Sequence, residues 1–373
     1  MSLRVEPNVP CGNVCDVSVS EQGERAEVAF AAHPHGGPES LWFRFRVCGG
    51  APNGIRLVLR HARTMLGADR PEALRPVVRS DGRDWCRLQP GTGEQFPDGR
   101  TDISWMVGAF YSDLDVAFCY PYGRDEVEAL RRETGACWRA DVIGVSQGGR
   151  PMVRLSNSYG AADAHRPGLF IVARQHSGET PGSWVLDGFL RAIAELEDRA
   201  PLVWAVPLAN IDGVEGGDYG KDNFPYDLNR AWGRPPMRHE TLVIGTDVAV
   251  WKTRCRPVLV LDLHAPGACE REGMYAYVLR PDAWPELHGQ ALTWAERLKA
   301  SLGPAYAAEN FVRTADYPSR WMSPTFVEFA AKEHGICGLS IETPYALIGE
   351  RELSREDYRE AGARIAAGIL CAL

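Results

Sequence analysis

The sequence predicts an α/β protein: a mixed, mostly parallel sheet flanked by helices, preceded by an all-β sandwich. Three observations carry this. Residues 1–122 hold short segments of period-two alternation punctuated by Gly, Pro, Asn and Asp. From about residue 140 onward, apolar strand-like runs alternate with helical stretches. Several of those runs end on His or Glu. A length of 373 residues exceeds one typical core and fits two units, 1–122 and 123–373.

In the first unit the segments "CDVSVS", "RAEVAFAA", "LWFRFRVCG", "GIRLVLRHA", "DISWMVGAF" and "DLDVAFCY" read as half-buried strands. In "LWFRFRV", Leu41, Phe43, Phe45 and Val47 share one face and predict the core side. Trp42, Arg44 and Arg46 share the other, which predicts solvent or a boundary, with Trp42 partly covered. Residues 124–134 then have helical composition.

In the second unit the strand-like runs are "GLFIVARQH" (168–176), "PLVWAVP" (201–207), "PVLVLDLH" (257–264) and "GICGLSIE" (335–342). Helices are expected over 181–199, 285–302, 324–334 and 354–371. Thr180 is the expected N-cap of the first, with Pro181 at its first position. Ser354 caps the last, with Glu356 and Asp357 in its first turn. Continuous apolar strands joined by helices imply a sheet covered on both faces. Residues 207–232 are rich in Gly, Asp and Asn and lack helical periodicity, so a long functional loop is expected there.

Composition narrows the function. A net charge of −8 without a basic stripe speaks against a nucleic-acid partner. No apolar run approaches the roughly 18–20 residues of a membrane span. The start "MSLRVEPNVPCG" lacks the basic and apolar regions of a signal peptide, so a cytoplasmic protein with reduced, buried thiols is expected from its ten scattered cysteines.

In an open α/β sheet, ligands bind outside the carboxyl ends of the strands. The first run ends on His176, with Glu179 three residues on; the third ends on His264; the fourth ends on Glu342. Two His and one carboxylate make a three-ligand catalytic metal set that leaves a position for water. A further, unligated carboxylate can then take the water's proton, a role open to Glu342. Asp262, two before His264, can accept a hydrogen bond from a liganding imidazole. In "DLNRAW", Asn229 and Arg230 suit a free carboxylate on the substrate, because guanidinium grips it as a fork.

These residues resemble the zinc carboxypeptidase family. The motifs are His176/Glu179, "NIDGV" (210–214), "DLNR" (227–230), "DLH" (262–264) and "SIETPY" (340–345). "LWFRFRV" and "VAFCYPY" are similar to the N-terminal sandwich of the cytosolic carboxypeptidase subfamily. The resemblance implies one Zn²⁺ per chain held by His176, Glu179 and His264. It implies Asn229 and Arg230 on the substrate's C-terminal carboxylate, and Glu342 as general base and then acid. The subfamily also carries an oxyanion arginine, where this chain has "GDYG" (217–220), with Gly220 at the arginine's place and Lys221 next. Lys221 is then the expected substitute, as a point charge rather than a fork. Tyr317, in "ADYPSRW", is the expected tyrosine over the substrate.

The expected function is a metallocarboxypeptidase that cuts the last peptide or isopeptide-like bond of a peptide or protein tail. An acidic preference would call on Arg320, Lys221, Arg234 or Arg238. Two alternatives stay open: an amidohydrolase of small N-acyl amino acids, and a catalytically weak peptide binder, which the glycine at 220 would favour. The sandwich is left with three roles to choose from: shaping the cleft, guiding folding, or forming a homo-oligomer.

Overall fold

The computed structural model describes residues 2–21, 25–68, 70–162, 165–315 and 320–373. Two five-stranded sheets form the N-terminal part. One orders its strands Arg4–Glu6, Arg44–Cys48, Asp113–Ala117, Val77–Ser80, Cys86–Arg87; the other Cys15–Ser20, Ala26–Ala31, Ile55–Leu59, Thr101–Val107, Thr92–Gln95. Pairing is antiparallel except between Ala26–Ala31 and Ile55–Leu59. The sheets face each other through aromatic contacts: Phe30 of one meets Phe45 of the other at a ring distance of 4.7 Å, and adjacent Phe43 at 5.0 Å. Leu41, Phe43, Phe45 and Val47 are all fully buried, as their shared face predicts. Trp42 differs from expectation. It is 2% exposed rather than partly covered, because it packs against the turn at Gly178 and its indole donates to Cys11 O at 2.8 Å.

The second sheet system has eight strands, in the order Arg139–Val145, Pro151–Ser156, Leu202–Val206, Pro167–Ala173, Arg256–His264, Gly338–Glu342, Met274–Val278, Ala307–Thr314. The central strands are parallel, while the Arg139–Val145 hairpin and the Met274–Val278 strand join antiparallel. The fold is therefore α/β with a mixed sheet flanked by helices, and N-terminal strands before it. The Pro167–Ala173 and Leu202–Val206 strands are wholly apolar, and Arg256–His264 is apolar from Pro257 to Leu261, because both faces are covered.

The Thr180–Ala194, Pro285–Leu302 and Arg355–Leu370 helices pack as one group. A Cβ at Gly188 would stand 2.0 Å from Arg359 O, and one at Gly362 1.9 Å from Val185 O, so both glycines let helix backbones touch. The His239–Trp251 and Phe326–His334 helices pack elsewhere on the sheet, with Trp251 and Phe326 both against Phe170. Ser354 caps its helix as expected and forms a capping box with Asp357. Thr180 does not cap the first helix: Glu179 occupies the N-cap, and Thr180 is the first helical residue. The 207–232 segment is also less irregular than expected. Asn210 caps a short helix, Ile211–Gly216, and Asp227 caps a 3-10 turn, Leu228–Arg230. Among the described residues, no helix is long and apolar enough to cross a membrane.

Candidate metal centre

Parallel register builds the site. The Arg256–His264 and Gly338–Glu342 strands pair so that His264 stands beside Glu342, on neighbouring strands and the same face. The Pro167–Ala173 strand ends one register step away, and its continuation turns back at His176 to Glu179. His176, Glu179 and His264 then offer ligand atoms that all lie within 4.8 Å of one another, and all three are buried.

The bonding of the two imidazoles decides what this cluster can hold. His176 Nε2 lies 3.1 Å from Asp227 Oδ1, and His264 Nε2 lies 2.8 Å from Asp262 Oδ2. Ionised carboxylates only accept, so each ring keeps its proton on Nε2 and turns the Nδ1 lone pair inward. Both Nδ1 atoms face Glu179: His176 Nδ1 is 2.8 Å from Oε1, and His264 Nδ1 is 2.8 Å from Oε2. Two lone pairs against a carboxylate repel unless positive charge lies among them. Protons supply it without a metal. Burial lowers the His176 imidazole, but Glu179 and Asp227 win and raise it to about 9. Glu179 is held well below the usual carboxylate range by the same two histidines, against its own burial. A divalent cation meets the same demand with the rings neutral, so the donor set fits a metal.

Glu342 is of another kind. Its Oε2 is buried and has no hydrogen-bond partner among the described residues. Burial pushes its carboxyl up to about 7, with His264 and Lys221 pulling the other way. A carboxyl poised there can take and return a proton near neutrality.

The centre opens into a cavity of about 510 Å³ lined by His176, Glu179, His264, Glu342, Lys221, Asn229 and Arg230, among others. Seven of the eight expected site residues are thus brought together. The eighth, Tyr317, lies outside the described residues; Trp321 and Met322, just beyond it, line the cavity. Asn229 lines the wall, but its amide is engaged. Its Oδ1 accepts from Gln175 Nε2 and Phe326 N, both at 3.0 Å, and its Nδ2 packs 3.0 Å from His264 Nε2. Gly220 is in the left-handed region at φ 85°, and a Cβ there would stand 2.4 Å from Ser177 Oγ. No side chain fits at that point.

Of the expected basic residues, only Lys221 lines the cavity. Arg234 pairs with Glu333 at 2.7 Å, Arg238 with Glu240 at 3.2 Å, and Arg320 with Asp222 at 3.2 Å, so each is committed outside it. Arg280 and Lys332 line the cavity instead and were missed by the sequence reading. Asp227 was missed in its role too, although its place two before Asn229 in "DLNR" was a signal.

No protein-family model matches the chain. In sequence it is similar to cytosolic carboxypeptidase 6 of Mus musculus, 30% identical over 195 residues, which are 46% of this chain and 36% of that one. It is 23% identical over 256 residues to cytosolic carboxypeptidase 6 of Caenorhabditis elegans, covering 63% of this chain and 56% of that one. The matched region thus spans about a third to just over half of these relatives. In structure it is similar to a metallo-carboxypeptidase from Burkholderia cenocepacia, with TM-score 0.77, 21% identity, and 100% and 98% of the two chains covered. A metallo-carboxypeptidase from Pseudomonas aeruginosa gives TM-score 0.76 at 18% identity over 99% and 98%. These solved structures establish the fold, and together with the curated relatives they support a zinc carboxypeptidase-like family.

Proposed function

We propose that the chain is a zinc-dependent metallocarboxypeptidase acting on the C-terminus of a peptide or protein tail. The observation that carries this is the convergence of His176, Glu179 and His264 in the cavity wall, with Glu342, its Oε2 buried, in register beside His264. His176 and His264 would hold the ion through Nδ1, and Glu179 through its carboxylate. When bound, the zinc supplies Lewis acidity toward the scissile carbonyl and toward water.

The chain's own residues do the rest. Glu342 takes the proton from the attacking water as its oxygen bonds to the carbonyl carbon. Glu342 then returns that proton to the amine nitrogen as the C–N bond breaks. Arg230, with Asn229 beside it, receives the substrate's terminal carboxylate. Lys221, which lines the cavity and whose charge reaches Glu342, faces the charge that develops on the carbonyl oxygen. Arg280 and Lys332 add positive charge to the wall, whereas Glu328 is committed to capping Thr325. An acidic C-terminal residue is therefore the favoured substrate. The ten free thiols and the relatives named as cytosolic support a cytoplasmic setting.

The test is the release of C-terminal residues from a mixed peptide library by zinc-loaded protein, with N-acetyl amino acids as a parallel substrate. Release is expected, with tails ending in Glu or Asp cut at least ~10-fold faster than those ending in Lys, a modest electrostatic preference. Glu342→Gln should lower kcat by ~10³-fold or more while zinc content stays near one per chain. Turnover of the acetylated amino acids alone, or full activity in Glu342→Gln, would overturn the assignment.

A further inference from the structure

Arg174 is an arginine in an unusual position. It follows the last residue of a central strand, sits in the left-handed region at φ 64°, and is 1% exposed. A buried guanidinium normally finds a carboxylate. Here the partners are oxygens of another kind. Nε donates to Ser177 O at 2.7 Å, Nη2 donates to the same carbonyl, and Nη1 donates to Tyr122 O at 2.6 Å and more distantly to Ser183 Oγ at 3.5 Å. The fork therefore closes the segment 174–177 into a ring and fastens that ring to the chain at Tyr122. His176 lies inside the ring and Glu179 two residues past it.

The turn is fixed from other sides as well. Gly178 N donates to Tyr219 O at 2.8 Å, and Glu179 N donates to His176 O at 3.2 Å. A Cβ at Gly178 would come within 3.0 Å of Trp42 and 3.1 Å of Tyr219. These contacts hold Gly178 and Glu179; the Ser177 carbonyl is held by Arg174. The guanidinium charge also reaches Glu179 electrostatically.

We propose that Arg174 is a positioning residue that holds the His176–Glu179 turn in metal-binding geometry before the metal arrives. The proposal rests on the reading of His176, Glu179 and His264 as ligands. Ordering a loop in advance removes an entropic cost from binding, so the effect belongs in metal affinity. Lysine keeps the charge but lacks the planar fork, which separates the two contributions.

The test is the zinc dissociation constant, measured by competition with a chromogenic chelator, with cooperative melting of each metal-free variant as the folding control. Arg174→Met is expected to bind zinc about 10- to 100-fold more weakly, and Arg174→Lys at least about 10-fold more weakly, as for lost supports of liganding groups. Either variant, folded and within twofold of wild type, overturns the proposal. Hydrogen exchange on the metal-free wild type gives a test free of folding defects: Gly178 and Glu179 amides should be protected without zinc. Their exchange at the rate of an open loop would also overturn it. A wild type that binds zinc yet cleaves no peptide would reject the peptidase function and leave the role of Arg174 intact.

Discussion

Asp227 and Asp262 do the same work on two histidines. Each holds the outer nitrogen of one ring so that the inner one faces Glu179. Asp227 is itself fixed, accepting from Asp222 N at 2.9 Å and Asn229 N at 2.7 Å. Asp227→Asn keeps the shape but presents a weaker acceptor, and metal affinity should fall about 10- to 100-fold, read by chelator competition. Gly220 poses the opposite problem at the same scale. Its φ and the 2.4 Å approach to Ser177 Oγ leave no room for a side chain. Gly220→Arg is therefore expected to lower metal content and turnover rather than restore an oxyanion arginine. A gain in kcat with metal retained would show that the loop yields. Of the residues read from the sequence at this scale, His176, His264 and Glu342 were legible as the close of apolar runs, Glu179 by its spacing from His176, and Asn229 and Arg230 by their chemistry in a polar loop. Asp227 and Arg174 act through partners, and the partners become visible only when the chain is folded.

The elements repeat the lesson with exceptions. Four strand-like runs were legible because burial on both faces makes them continuously apolar, and they appear as Pro167–Ala173, Leu202–Val206, Arg256–His264 and Gly338–Glu342. The Arg139–Val145, Pro151–Ser156, Met274–Val278 and Ala307–Thr314 strands lie toward the margins of the sheet, carry mixed residues and were not foreseen. The His239–Trp251 helix escaped because its apolar residues run all round it and show no stripe. Two cysteines sit in or beside central elements. Burial pushes Cys255 and Cys337 up to about 12. Reactivity needs the thiolate, and at pH 8 about one part in ten thousand is ionised at such a pKa. Exposed Cys86 and Cys371 should therefore react first with an aromatic disulfide reagent, and Cys255 and Cys337 only on unfolding. Mass mapping of the labelled peptides checks the order, and early labelling of Cys255 would contradict it.

At the scale of the whole molecule, the N-terminal sheets reach the loops that build the site. Asn13 Nδ2 donates to Gly217 O at 2.7 Å, next to the Gly220 turn. Tyr122 O receives Arg174. Leu66 O accepts from Ala268 N at 2.9 Å, just past His264. Phe118 packs on Tyr345 at 4.8 Å, and Cys119 Sγ donates to Tyr345 O at 3.3 Å, three residues after Glu342. None of these pairings is readable from a sequence, since partners stand tens to hundreds of positions apart and lack a shared periodicity. Residues 123–373 expressed alone should accordingly fail to melt cooperatively or to bind zinc stoichiometrically. A folded, zinc-binding fragment would show that the sheets are dispensable. The boundary between the halves is in this sense not a joint. Residues 123–373 transplanted onto a foreign sandwich would arrive with several site loops unsupported at once. Recombination along this line, by an engineer or by evolution, has to carry both sides of the seam together.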